Sequence, residues 1–318
     1  MRRQRCRPAV PAHRPRSLGR ELKSDRAGLL YGIGAYTLWG LFPLYWPLLA
    51  PASSWEILAH RMLWSFVFLL IITAVMRSWS QIRTALADRR VRLLLLAAAA
   101  LVSINWGTYI WSVNNGYVVE ASLGYFINPL VSVALGVVVL GETLRRTQWL
   151  AVGIAGLAVL VLTASYGRPP WIALILAFSF GLYGLARKQA GVQAVPALTI
   201  ETGLQTPFAL VYLAVLTFGG GLTFGDDPAN SAMLMTAGVA TTVPLLLFGA
   251  AAIRLPLVVL GLLQYLAPII QFLIGVTYFG EHMPTSRWIG FSLVWLALVV
   301  FTVDVVRHSR RPVAEAPV

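Results

Sequence analysis

Tyr125, Asn128 and Ser132 stand in an otherwise apolar run, SLGYFINPLVSVALGVVVLGE from Ser122 to Glu142, at spacings i, i+3 and i+7. On a helix the three fall on one face. A phenol, an amide and a hydroxyl with no base beside them make no catalytic constellation, but they can hydrogen-bond a ligand. Such groups are costly in hydrocarbon, so their face must turn into a helix bundle or a wet cavity. Pro129 sits in the stripe and removes one i to i−4 hydrogen bond, freeing a carbonyl a turn earlier. The arrangement returns 139 residues on, in LLQYLAPIIQFLIGVTYFGE, where Gln264, Ala267 and Gln271 match the three positions and Pro268 matches Pro129. The competing reading is that the amides glue helices together and the prolines fit local curvature. The pairing of the two stripes favours a cavity.

The run INWGTYIWSVNN adds Asn105 and Tyr109 on one face, with Trp106 beside them. Aromatic walls carrying a few hydrogen-bonding groups suit a pocket for a small organic molecule. Trp55, Trp111, Trp149 and Trp288 lie near the ends of apolar runs and read as interfacial anchors.

Arg61 is the one basic residue inside an apolar run, about 9 Å along a helix axis from Trp55. Charge at membrane depth is expensive, so it needs a partner or a purpose. Glu56 and His60 are four apart and can meet, whereas Arg61 points away from Glu56 and must find its partner on another helix. It serves to recognise an anionic group, to form a gating ion pair, or simply snorkels to the interface. Candidate groups for proton coupling are Glu56, His60, Glu120 and Glu201, with Glu201, about a turn inside its run, foremost. In Gly141-Glu142 and Gly280-Glu281, glycine is expected to close a helix and the carboxylate to face the N-terminus of the next one.

The elements that must position these residues follow from composition. Of 318 residues 58% are hydrophobic and 12% charged, against about 25% charged in a soluble domain. Ten apolar stretches are long enough to cross a bilayer as helices: 28 to 48, 55 to 76, 93 to 113, 121 to 140, 148 to 165, 170 to 187, 197 to 218, 231 to 253, 257 to 280 and 288 to 306. The net charge of +13 does not form a nucleic-acid-binding patch, because 22 of the 25 basic residues follow alternate loops and the two tails. That asymmetry places both termini in the cytoplasm. Residues 1 to 27 are expected to be a disordered basic tail and 307 to 318 a second cytoplasmic tail. A single cysteine, Cys6, excludes a disulfide framework and a thiolate metal cluster, and nothing calls for a metal or another cofactor.

Ser122 to Thr163 overlays Gly261 to Thr302 without a gap, matching Pro129 with Pro268, Gly136 with Gly275, Gly141-Glu142 with Gly280-Glu281 and Trp149 with Trp288. A shared register of this kind marks a duplication with five spans in each copy, 28 to 166 and 167 to 306. An odd number of spans inverts the second copy in the membrane, a build recurrent among secondary transporters. Glu56 and Glu201 align only at a different offset, 145, and add weaker support.

The strings ASLGYFINPLVSVALGVVVLGE with RRTQWLAV, EILAHRMLWS, INWGTYIWSVNNG, and LGLLQYLAPIIQF with FGE resemble, in order and spacing from about Gly28 to Val306, the RarD-type members of the EamA branch of the drug/metabolite transporter superfamily. The basic tail before Ala27 departs from that pattern. The resemblance implies an all-α carrier in a bacterial inner membrane, with ten transmembrane helices as two inverted five-helix repeats. It implies a central cavity between spans 1 to 4 and 6 to 9, with spans 5 and 10 peripheral. The expected partners are a small-molecule substrate and the lipid bilayer, with no nucleic acid and no enzymatic role. The alternative is a non-transporting membrane protein, whether channel, sensor or enzyme. Against an enzyme, the only paired aspartates, Asp226-Asp227, precede Pro228 in what reads as a turn.

Overall fold

A computed structural model of the chain describes residues 18–140, 144–252, 254–255 and 257–309, and every regular element among them is helical. In chain order these are α1 (Leu18–Tyr45), a short 3-10 turn (Trp46–Leu49), α2 (Ser54–Val75), α3 (Trp79–Ala87), α4 (Arg89–Asn114), α5 (Val118–Leu140), α6 (Arg146–Tyr166), α7 (Trp171–Ala190), α8 (Ala194–Phe218), α9 (Pro228–Ala252), α10 (Leu257–Leu263), α11 (Leu266–Thr277) and α12 (Thr285–Ser309). Nine of these helices among the described residues are long and apolar enough to cross a membrane, and α11 is a shorter apolar helix.

Polar residues at the ends satisfy the free donors of several helices. Ser53 accepts from the Glu56 N–H at the start of α2, Asp88 from the Arg90 and Val91 N–H groups at α4, and Asp227 from the Asn230 N–H at α9. Asp227 thus serves the turn expected of the Asp-Asp-Pro trio.

Three features depart from the expected spans. The stretch 257 to 280 is broken at Gln264 and Tyr265 into α10 and α11. Pro268 then lies in the first turn of α11, where its missing N–H costs nothing, whereas its counterpart Pro129 lies inside the unbroken α5. The basic connection after α2 contains α3, whose Ile82 and Ala85 are buried beside α4 and α8 while Trp79 is exposed. An amphipathic segment of nine residues was too short to separate from a loop by periodicity. Finally, α1 opens at Leu18 and takes in the last ten residues of the expected disordered tail. The rest of that tail, residues 1–17, and residues 310–318 lie outside the described residues.

The packing follows the duplication. α1 packs on α9 and α11, while α7, its counterpart, packs on α4 and α5, the counterparts of α9 and α10–α11. A glycine stands at a close point in each set: a side chain on Gly40 would meet Ile270, and one on Gly181 would meet Val131, and Val131 and Ile270 are 139 residues apart. Across the pseudo-two-fold, α2 meets α8, α5 meets α11 and α6 meets α12, each helix on its own counterpart. α6 and α12 run antiparallel, since Arg145 pairs with Asp304 at one end and Ser165 with Ser286 at the other. These two are also the most peripheral spans, with 22% and 28% of their apolar 18-residue stretch buried against 56% in α5.

The repeated Gly-Glu signature has a full physical account in the second copy. Gly275 lets α11 approach the start of α5, because a Cβ there would lie 2.8 Å from Val119 Cγ2. Gly280, at φ 63°, turns the chain back in the left-handed region. Glu281 then accepts from the Val118 and Val119 N–H groups. The carboxylate therefore caps a helix N-terminus as expected, but that of α5 in the other copy and not of the helix that follows it. Glu142 lies outside the described residues.

Candidate functional site

Arg61, near the start of α2, is 3% exposed and buried inside the bundle. Its guanidinium lies 3.9 Å from the ring centre of Trp106 on α4, 5.1 Å from that of Trp46 and 5.9 Å from that of Phe42. Its Nε donates to Thr241 Oγ1 on α9 at 2.8 Å. Among the described residues this is its one hydrogen bond, and no carboxylate lies within 4.0 Å. The partner from another helix that the sequence required is thus a hydroxyl and three aromatic faces. Tyr45, Tyr109 and Tyr125 lie within electrostatic reach of the cation.

The candidate pocket residues of α4 and α5 gather beside this cation. Asn105 is buried and fully engaged: its amide donates to the Leu176 carbonyl and Ser179 Oγ on α7, and its Oδ1 accepts from the Tyr125 hydroxyl at 3.2 Å. Tyr109 packs edge-on to Tyr125 at 5.5 Å, and its buried hydroxyl has no partner among the described residues. Asn128 Oδ1 and Trp46 Nε1 are likewise buried without partners. Ser132 is exposed and lies beside Gly181 of α7.

The second stripe is placed differently. Gln271 is buried and donates to the Trp39 carbonyl of α1 at 3.1 Å, leaving its Oε1 without a partner. Gln264, expected on a continuous helical face, instead occupies the break between α10 and α11, because the chain turns there ahead of Pro268. The structure therefore brings Arg61, Asn105, Tyr109 and Tyr125 together, leaves Gln264 at the helix break and sets Gln271 against α1.

The candidate coupling residues divide in two. Glu201 on α8 is buried and receives Arg187 Nη1 at 2.8 Å and the Tyr183 hydroxyl at 3.2 Å, both from α7. Glu56 Oε1 accepts from the Thr223 and Phe224 N–H groups and the Thr223 hydroxyl, tying the α8–α9 loop to α2. His60 stacks on Phe224 and accepts from Trp64 Nε1, with Nε2 4.0 Å from Glu56. Glu120 pairs with Arg168 and caps the start of α7 through the Ile172 N–H.

Sequence reasoning passed over Thr241, Trp46, Phe42 and Arg187. Thr241 is one of many hydroxyls in apolar runs that bond their own backbone, as it also does to the Ala237 carbonyl. Arg187 reads as one more basic residue at a helix end. Trp46 also lines a cleft of about 440 Å³ with Ser53, Ser54, Val113, Asn114 and Phe279, at the end of the bundle away from the basic loops. Trp46 thus borders both that cleft and the Arg61 guanidinium.

A helical bundle of two inverted halves, with buried polar groups from both meeting at its centre, is the build of an integral membrane transporter. The chain belongs to the EamA-like transporter family, and within it to the RarD-type proteins. The family model matches residues 26–164, from α1 to α6. Protein RarD of Streptomyces exfoliatus is 55% identical over 288 residues, covering 90% of this chain and 91% of that one. The uncharacterized transporter YojE of Bacillus subtilis (strain 168) is 45% identical over 289 residues, covering 90% and 96%. A solved crystal structure 18% identical in sequence superposes with a TM-score of 0.56 over 90% of this chain and 100% of its own, a likeness of fold alone.

Proposed function

We propose that this membrane transporter is a secondary active carrier of small organic metabolites or drugs, working by alternating access between the halves 28 to 166 and 167 to 306. The observation that carries the reading is the composition of the buried centre. Arg61, stacked on Trp106, donates to Thr241 of the second half, and Asn105, which accepts from Tyr125, donates to Leu176 and Ser179 of the second half. A relative motion of the halves must then remake these contacts, which is how a site between repeats alternates. The basic loop end faces the cytoplasm of a bacterial inner membrane, with both termini on that side.

Coupling to protons falls to the Glu201–Arg187–Tyr183 group, a buried carboxylate whose charge is balanced across the α7–α8 contact. The test is uptake into reconstituted vesicles from a metabolite mixture, with and without a proton gradient. Saturable, gradient-driven accumulation is expected, and Glu201→Gln should abolish accumulation while leaving solute exchange. Non-saturable flux would favour a channel, and flux indifferent to both gradient and substitution would remove the coupling role. Cysteines introduced at Arg145 and Glu281 should label from opposite sides of the membrane, and labelling from one side would refute the orientation.

A further inference from the structure

We propose that the solute carries an anionic group, of the carboxylate class, which binds to Arg61 with its planar or aromatic body against Trp106. This rests on the carrier reading of the same centre and deepens it. A guanidinium out of water and without a counter-ion is several kcal/mol less favourable than a paired one, and a purely structural cation would be expected to pair. Arg61 is 3% exposed and uses Nε alone, on Thr241, so its four Nη protons have no acceptor among the described residues. Those protons form the fork that a carboxylate accepts in parallel. The Tyr109 hydroxyl and Trp46 Nε1, buried and without partners, supply further donors around the same cation. The rings of Trp106, Trp46 and Phe42 hold the guanidinium while it is empty and exclude water from it, which strengthens its pull on an incoming anion.

The experiment uses the purified full chain in lipid nanodiscs and reads tryptophan emission during titration with isosteric pairs: benzoate and benzamide, and 3-phenylpropionate and its amide. The carboxylate of at least one pair should bind about tenfold more tightly than its amide, the worth of one charge-assisted contact. Arg61→Met should abolish the preference, and Arg61→Lys, which keeps charge but not the fork, should retain part of it. Trp106→Phe should weaken both members of the pair alike. Thermal unfolding of each variant separates loss of binding from loss of fold, and Arg61→Lys carries the test if Arg61→Met does not fold. No preference in any pair, or a preference untouched in the Arg61 variants, overturns the proposal. Saturable vesicle flux of neutral solutes that ignores Arg61 would overturn it while leaving the carrier reading intact. Arg61-dependent anion binding without flux would do the reverse.

Discussion

Glu201 and Arg187 meet at 2.8 Å where α8 packs on α7, so removing either charge leaves the other without its counter-ion in a largely buried place. Glu201→Gln should lower stability by about 3 kcal/mol, and adding Arg187→Met should recover most of it, as measured by denaturant unfolding in detergent. Tyr125→Phe removes the donor that satisfies Asn105 Oδ1 and should cost about 1 kcal/mol in the same assay. Polar residues inside apolar runs were legible as candidates because their cost in lipid is independent of the fold. Their partners were not: Thr241 and Arg187 acquire meaning only when α9 meets α2 and α7 meets α8.

The junction of α5 and α11 concentrates what an element's end must do. Gly280→Ala should cost about 1 to 2 kcal/mol for its left-handed backbone. Gly275→Val should push α11 off Val119 and lower the thermal midpoint further than Gly280→Ala does. Burial pushes the Glu281 carboxyl up to about 6, against the Val119 and Val118 N–H groups and Arg287, while Glu120 adds to the push. A carboxyl raised in the folded state holds its proton more tightly there than when unfolded. Its contribution to stability is therefore complete below pH 4.5, the ordinary value, and is lost as pH rises through about 6. The thermal midpoint should fall across that window in the wild type and be flat there in Glu281→Gln. The glycines and the glutamate were legible as a helix end. The helix being capped was not, since it lies 163 positions away. Nor was the break at Gln264 and Tyr265, because a proline fits equally the interior of a continuous helix, as at Pro129, and a new helix start, as at Pro268.

For the molecule as a whole, the 139-residue register made the inverted architecture legible before any contact was known, since an odd span count leaves no other arrangement. It could not reveal where the copies differ, and they differ at α3 and at the interrupted ninth span. The antiparallel pairing of α6 and α12 predicts that Ser165→Cys with Ser286→Cys, in a chain with Cys6→Ser, cross-links readily on oxidation, because the two Oγ atoms are 2.7 Å apart. Gel mobility after oxidation reads the result, and no cross-link would reject the pairing. That α2, α5 and α6 each lie against their own counterparts has a genetic corollary. Surfaces of this kind are self-complementary, like those of an isologous dimer. A gene encoding a single five-span chain, inserted in both orientations, would have sufficed to assemble such a bundle. Fusing two such copies would leave each free to diverge, and the unbroken α5 against the interrupted α10–α11 is a divergence of that kind.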